Sequence, residues 1–282
     1  MPDINDVKCF WEKTPLFAEE AVCEEGTKEW FLEHERVIES DCMPDKGQFE
    51  YVMGEWISAD AHILDVGCGP GYWVRRFLRH GFQYVSACDL TYRAVDLTKK
   101  SLQIFGLTTR GQIVQGNAES LPFDDASIDH LNCQGVIHHT PNTEECLVEF
   151  HRVLKPKGTL CFSVYYRNVF LRHPVLLHLI QETAGLFLGL KGRGREGLVR
   201  EAINAEDLVR RYDGSENPIG KAYTKAETLA LLSFRGGKLF KPIHLERFFF
   251  PARAFPFRIP AGLHRFFCRH AGLLIAVKAV KI

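Results

Sequence analysis

The stretch that most constrains this chain is His62-Ile-Leu-Asp-Val-Gly-Cys-Gly-Pro-Gly71, continued by Tyr72-Trp-Val-Arg-Arg-Phe-Leu-Arg-His80. It reads as a short apolar strand, a glycine-rich turn, and a helix with apolar residues at Val74, Phe77 and Leu78. A buried strand that feeds a glycine turn and a helix is the nucleotide-binding entry of a doubly wound α/β sheet. Glycines let the backbone approach a ligand closely, and the helix N-terminus offers free N–H groups and positive potential. The spacing narrows the ligand. Gly67-x-Gly69-x-Gly71 is not the G-x-G-x-x-G turn of dinucleotide sites, and no Gly-Lys-Ser/Thr follows for a P-loop. Asp65, just ahead of the glycines, sits poorly beside a pyrophosphate and suits a cationic ligand.

The pattern repeats downstream. Tyr84-Val-Ser-Ala-Cys-Asp89-Leu90 reads as a second strand ending in a carboxylate. A parallel sheet delivers such a side chain to the two hydroxyls of a bound ribose; helix capping, by Asp89 or Thr91, is the plainer role. Gln112 to Phe123 gives a third strand and a polar turn around Asn117-Ala-Glu, and Asp124 to Pro141 a fourth strand and its loop. After a helix from Thr143 to Leu154, Lys155-Pro-Lys-Gly158 is a stop, and Thr159 to Tyr166 is a fifth buried strand.

Asp65-Val-Gly-Cys-Gly-Pro-Gly71, Asp89, the Asn117 turn and Glu149-Phe-His-Arg-Val-Leu-Lys-Pro-Lys-Gly-Thr-Leu, in that order and spacing, resemble the class I S-adenosylmethionine (SAM)-dependent methyltransferases. The small-molecule type, similar to the ubiquinone and menaquinone enzymes, is the nearest likeness. The resemblance is strong from about residue 60 to 166 and weak on both flanks. It implies an α/β Rossmann-like, doubly wound sheet of seven strands in the order 3-2-1-4-5-7-6, the last antiparallel. It divides the chain into an N-terminal helical cap (1–56), a SAM-binding core (57–166), a substrate-binding lid insertion (167–243) and a C-terminal strand hairpin (244–282). It also places Asp65, Gly67, Cys68, Gly69, Gly71, Asp89, Leu90, Asn117, Ala118, Glu119 and Gln134 around SAM, whose product is S-adenosylhomocysteine. In the family the third-strand turn usually carries Asp where this chain has Asn117, so the adenine amino group would meet a neutral acceptor.

Chemistry beyond the cofactor rests on fewer residues. The loop after the fourth strand carries His138 and His139, the best general-base candidates in the chain, although orienting the loop or capping the next helix would also account for them. Tyr165, Tyr166, Tyr212 and Tyr223 are candidates for an acceptor pocket. The helix from Glu29 to Ile38 reads first as an amphipathic helix packed on the main domain, while the resemblance implies a cap closing over the cofactor, where Trp30, Phe31 or Arg36 would touch SAM or substrate. No Asp/Asn-Pro-Pro-aromatic motif is present, which argues against methylation of nucleobases or amide nitrogens. The nine cysteines form no CxxC pair or Cys/His cluster at zinc spacing, so no metal is expected.

Charge and hydropathy bound the partners. Lys plus Arg and Asp plus Glu both number 35, so net charge predicts no general affinity for nucleic acid. The first sixty residues are acidic, whereas none of the residues after Glu246 is Asp or Glu. The start of the chain lacks the pattern of a signal peptide, and the apolar run from Pro174 to Leu190 is broken by Glu182 and short for a membrane span. A cytoplasmic enzyme follows. The expected reaction is methyl transfer from SAM to a small-molecule acceptor, with O-methylation of a natural product or sugar favoured. Two alternatives stay open: action on a lipid or quinone precursor through peripheral membrane contact, suggested by Leu176, Leu177, Ile180, Phe187, Leu188 and the basic tail, and a catalytically silent SAM-binding scaffold. The oligomeric state is not legible.

Overall fold

The computed structural model describes residues 2–17, 21–41, 58–168, 172, 204–250 and 259–282. The apolar run from Pro174 to Leu190, the basic turn at 191–195 and the Arg/Phe-rich stretch at 251–258 lie outside the described residues.

The first five strands run parallel: β1 (His62–Val66), β2 (Tyr84–Asp89), β3 (Ile113–Gln115), β4 (Ile128–Gln134) and β5 (Leu154–Tyr166). Their order, 3-2-1-4-5, reverses direction of travel between β1 and β4, the switch point where open α/β sheets bind ligands. Side-chain alternation along these strands builds two cores. Ile63, Val85, Ala87 and Cys161 meet α3 (Tyr72–Arg79) and α4 (Tyr92–Ile104) on one face. Leu64, Val66, Phe162 and Val164 meet α5 (Thr143–Val153) on the other.

The C-terminal part completes the sheet as the sequence suggests, with two differences. β9 (Phe240–Phe248) and β10 (Leu274–Lys281) pair antiparallel to each other, and β10 pairs antiparallel to β5. The order 3-2-1-4-5-7-6 is therefore present, but the last two strands are no simple hairpin, because α8 (Ala261–Ala271) lies between them in the chain. The second difference is an eighth strand. β6 (Ala222–Tyr223) extends the end of β5 through Tyr165–Ala222 and Tyr166–Tyr223. Two residues carry no periodicity, so this strand leaves no trace in the sequence pattern. Between β5 and β9 the described chain also forms α6 (Ala205–Tyr212), α7 (Lys225–Ala230) and a small hairpin of β7 (Ser233–Phe234) and β8 (Gly237–Lys238). The capping box Thr224-x-x-Glu227 opens α7 as its spacing requires, each side chain bonding the other's backbone N–H.

The N-terminal helices α1 (Ile4–Lys13) and α2 (Lys28–Asp41) pack at the carboxyl ends of the strands. Glu12 of α1 accepts from the backbone N–H groups of Tyr92 and Arg93, both at 2.9 Å, and so caps the start of α4 from outside it. On α2, Trp30 and Phe31 are fully buried against Phe17 and Leu97. Arg75 of α3 is also fully buried, donates to the Pro70 carbonyl at 2.8 Å, and lies 5.3 Å from the rings of both Phe31 and Phe105. It ties the glycine turn to the cap, and burial pushes its pKa down to about 10.

Candidate active site

The glycine turn is built by backbone geometry that side chains disfavour. Gly67, Gly69 and Gly71 have φ of 73°, 49° and 77°. A Cβ on Gly67 would lie 2.1 Å from Val136 Cγ2, whereas one on Gly69 would meet nothing within 4 Å. Gly69 faces open space in a cavity of about 340 Å³ that runs along the carboxyl ends of β1, β2 and β4. Gly67, Cys68, Gly69, Asp89, Leu90, Asn117, Ala118 and Gln134 all line it.

Asp89 ends β2 and organises the turn. Its Oδ2 accepts from Gly69 N at 3.0 Å, and its Oδ1 accepts from Thr91 N and Oγ1, both at 2.9 Å. Thr91, rather than Asp89, caps α4, through Ala94 N. Burial raises the Asp89 pKa against these hydrogen bonds. Oδ2, with one donor, keeps a further lone pair for a ribose hydroxyl, whereas Oδ1 already accepts twice. Asp89→Ala should therefore weaken SAM binding by about 1–3 kcal/mol; titration calorimetry that found unchanged affinity would remove Asp89 from the cofactor site.

Other expected cofactor residues take supporting places. Asp65 is buried beneath the turn, where Asn132 Nδ2 donates to its Oδ1 at 2.7 Å and Gln134 Nε2 bonds Asn132 at 2.9 Å. Its Oδ2 has no hydrogen-bond partner among the described residues, and burial pushes its pKa up to about 7. Asn117 uses its side-chain oxygen to accept from Glu119 N, an Asx turn that fixes the loop facing the cavity. Glu119 does not line the cavity; it accepts from Asn142 N and Nδ2 at the start of α5. Gly71 lies behind the turn against Thr98.

Across the cavity stands a polar array. His138 and His139 occupy one turn of 3-10 helix after β4 and are 1% and 5% exposed. His139 Nε2 lies 3.2 Å from Asp213 Oδ2, and its Nδ1 lies 2.7 Å from the Ile219 carbonyl. Tyr165 OH donates to Asp213 Oδ2 at 2.6 Å, and the edge of Trp11 meets the His139 ring at 5.3 Å. His138 packs 4.2 Å from His139 and 4.6 Å from Tyr165, between ring centres, and its Nδ1 is buried with no partner. Burial, and then the neighbouring His139, hold the His138 pKa well below the ordinary histidine value.

The expected acceptor residues divide. Tyr212 lines the cavity. Tyr166 points to the opposite face of the sheet from Tyr165, under the Arg247 guanidinium. Tyr223 donates to Thr143 Oγ1 at 2.9 Å, away from the cavity. Arg36 bonds the Leu32 carbonyl and borders a separate surface depression. From α2 the cavity takes His34, Val37 and Ile38 in place of Trp30 and Phe31. Asp213 and Asn217 join the site from the loop between Tyr212 and Pro218, whose one sequence signal is its density of turn residues.

The glycine turn, the acid at the end of β2 and the strand order together match a family description. Residues 64–162 match the family described as "Methyltransferase domain". This stretch is a methyltransferase domain. The rice (Oryza sativa subsp. japonica) 24-methylenesterol C-methyltransferase 2 is 34% identical over 96 residues, 34% of this chain and 26% of that protein. The ubiquinone/menaquinone biosynthesis C-methyltransferase of Bartonella bacilliformis is 34% identical over 104 residues, 36% of this chain and 40% of that one. The matched stretch thus spans less than half of these curated relatives. A SAM-dependent methyltransferase structure from Methanosarcina mazei superimposes with a TM-score of 0.56 at 18% identity, covering 82% of this chain and 97% of that one.

The cavity fits the domain's cofactor on its own evidence. The space a Gly69 Cβ would enter is open, and the turn's backbone stands at the start of α3. The described residues contain no helix long and apolar enough to cross a membrane.

Proposed function

We propose that the chain transfers the methyl group of SAM to a hydroxyl oxygen of a small, largely apolar acceptor. One observation carries this reading: the glycine turn and the buried His138–His139–Asp213–Tyr165 array open on the same cavity. The remaining wall, from Val7 and Leu16 to Phe248, Phe249 and Leu274, is apolar and suits the body of such an acceptor.

Gly67, Gly69, Asp89, Asn117 and Ala118 would hold SAM, which supplies an electrophilic methyl group when bound. The protein then has to align the acceptor, exclude water and take one proton. His139 bonds the Ile219 carbonyl through Nδ1 and turns Nε2 to Asp213, away from an acceptor, so its part is to position its neighbours. His138 is the proton acceptor of this reading, because its depressed pKa keeps a lone pair available at neutral pH.

An acceptor screen following S-adenosylhomocysteine release tests this, with phenols and alcohols set against carbon acids. His138→Asn should lower kcat on the hydroxyl acceptor by about 10²–10⁴-fold while leaving SAM affinity in place. The sign with pH follows from the downward shift: wild-type activity should persist as pH falls through 6.5, where an ordinary histidine base would fail. A His138→Asn enzyme with full kcat would sink the assignment. A lipid-borne acceptor is the second reading, favoured by Leu263 and Phe266, which α8 exposes beside Arg265 and Arg269; detergent dependence in the same screen separates it from a freely dissolved one.

A further inference from the structure

We propose that His138, His139 and Asp213 form a binding site for a divalent transition-metal ion of the zinc type. Each offers one donor atom, and the three atoms lie within 4.8 Å of one another in a buried cluster. The hydrogen bonds around His139 leave a gap that a cation fits. A carbonyl only accepts, so the Ile219 oxygen at 2.7 Å places the His139 proton on Nδ1. The Asn217 amide, 3.3 Å from the same nitrogen, has the Arg210 carbonyl as an acceptor of its own. His139 Nε2 then turns its lone pair toward Asp213 Oδ2, which already accepts from Tyr165. Without a proton between them, two acceptors face each other across 3.2 Å. Metal bonds of about 2.0–2.1 Å at a tetrahedral ion set neighbouring ligand atoms about 3.3 Å apart, which matches that gap.

The third donor supports the same reading. His138 is 1% exposed and its Nδ1 has no partner, and a buried polar atom without one calls for an ion or water. The surroundings resemble those of ligands in metal sites, with a carbonyl fixing one imidazole and a phenol bonded to the carboxylate. Two imidazoles and a carboxylate suit Zn²⁺ or a neighbouring ion better than Mg²⁺ or Ca²⁺. All three residues line the cavity, which leaves a coordination position open toward it. The sequence hides the site because Asp213 reaches it from the loop after α6, so no local ligand spacing exists. The site rests on donor geometry alone. Its consequence rests on the proposed hydroxyl methylation: an alcohol or phenol bound to the ion would lose its proton to water more readily, so the His138 lone pair would serve the ion and not the proton.

The test is a Co²⁺ titration of the full chain after chelator treatment, read by visible absorption. One Co²⁺ per chain is expected, with ligand-field bands and no thiolate charge-transfer band. His138→Ala and Asp213→Asn should each weaken binding by at least about tenfold with circular dichroism unchanged; if Asp213→Asn fails to fold, His138→Ala decides alone. A saturating titration without bands would mean that a proton alone bridges His139 and Asp213, and the proposal falls. It falls equally if a thiolate band appears or the variants bind as the wild type does. The titration involves neither SAM nor acceptor: a chelated chain that methylates but takes up no Co²⁺ removes this inference and leaves the proposed function standing. The converse result removes only the function.

Discussion

Gly67→Ala should destroy the cofactor turn and cost the fold about 2–5 kcal/mol, the sum of a left-handed backbone penalty and overpacking. The backbone there has a φ of 73°, and the new methyl would sit 2.1 Å from Val136 Cγ2 and 2.8 Å from Cγ1. Val136 cannot simply retreat, because it is packed against the buried core and His139 N bonds its carbonyl. Damage at Gly67 therefore passes to the histidine loop. Gly69→Ala is the matched control. Its φ of 49° carries the left-handed penalty alone, about 1–2 kcal/mol, since nothing lies within 4 Å of the new Cβ. Urea denaturation should find Gly69→Ala folded and Gly67→Ala severely destabilised, while titration calorimetry finds SAM binding impaired in both. A Gly67→Ala chain with wild-type stability would show that the turn relaxes in a way its packing gives no room for.

The second large effect is a gain. Asp65→Asn should stabilise the cofactor-free protein at pH 8 by up to about 4 kcal/mol, three pKa units at about 1.4 kcal/mol each. Burial raises the Asp65 pKa from 3.8 to about 7, outweighing the hydrogen bond from Asn132, with the Asp89 charge adding to the rise. Between those values the folded chain holds a proton that the unfolded chain has released. Stability from this group is complete below pH 3.8 and is lost as pH climbs through 7. Asparagine keeps the acceptor that Asn132 uses and removes the charge, so its advantage should be small at pH 5 and grow towards pH 8. Denaturation curves at several pH values would reveal that slope, and a parallel pair of curves would refute it. The same substitution should weaken SAM binding, because the carboxylate beneath the turn adds to Asp89 as countercharge near a cationic ligand. Stability and cofactor affinity would then move in opposite directions, as expected where a strained group is kept for function.

What could be read from the sequence was whatever lies in one continuous segment. The strand, turn and helix from His62 to Arg79 and the acid ending β2 are local patterns, and the fold follows them. The sheet order could be named in advance because those patterns belong to a known topology. Residues that meet only through tertiary packing were harder to select. Of two adjacent tyrosines, Tyr165 reaches the histidines and Tyr166 the other core, a choice made by strand parity. Ser163, on the same parity as Tyr165, lines the cavity too, so parity was a usable signal. Arg36 lies on the same helix as His34 but borders a different depression, two positions beyond that buried residue. Asp213 offered no such handle; a loop from elsewhere in the chain brings it to His139.

The way the helical cap is fastened makes it sensitive to salt. α1 forms part of the cavity wall through Ile4, Val7 and Trp11, so whatever occupies the glycine turn lies against it. Beside the Glu12 cap, the fastenings include partly exposed ion pairs: Arg93 with Glu25, Arg76 with Glu39 and Arg79 with Glu35, at 2.8, 3.0 and 2.7 Å. Each is worth less than about 1 kcal/mol and is screened by salt. The hold of the cap on whatever lies beneath it should therefore slacken as ionic strength rises.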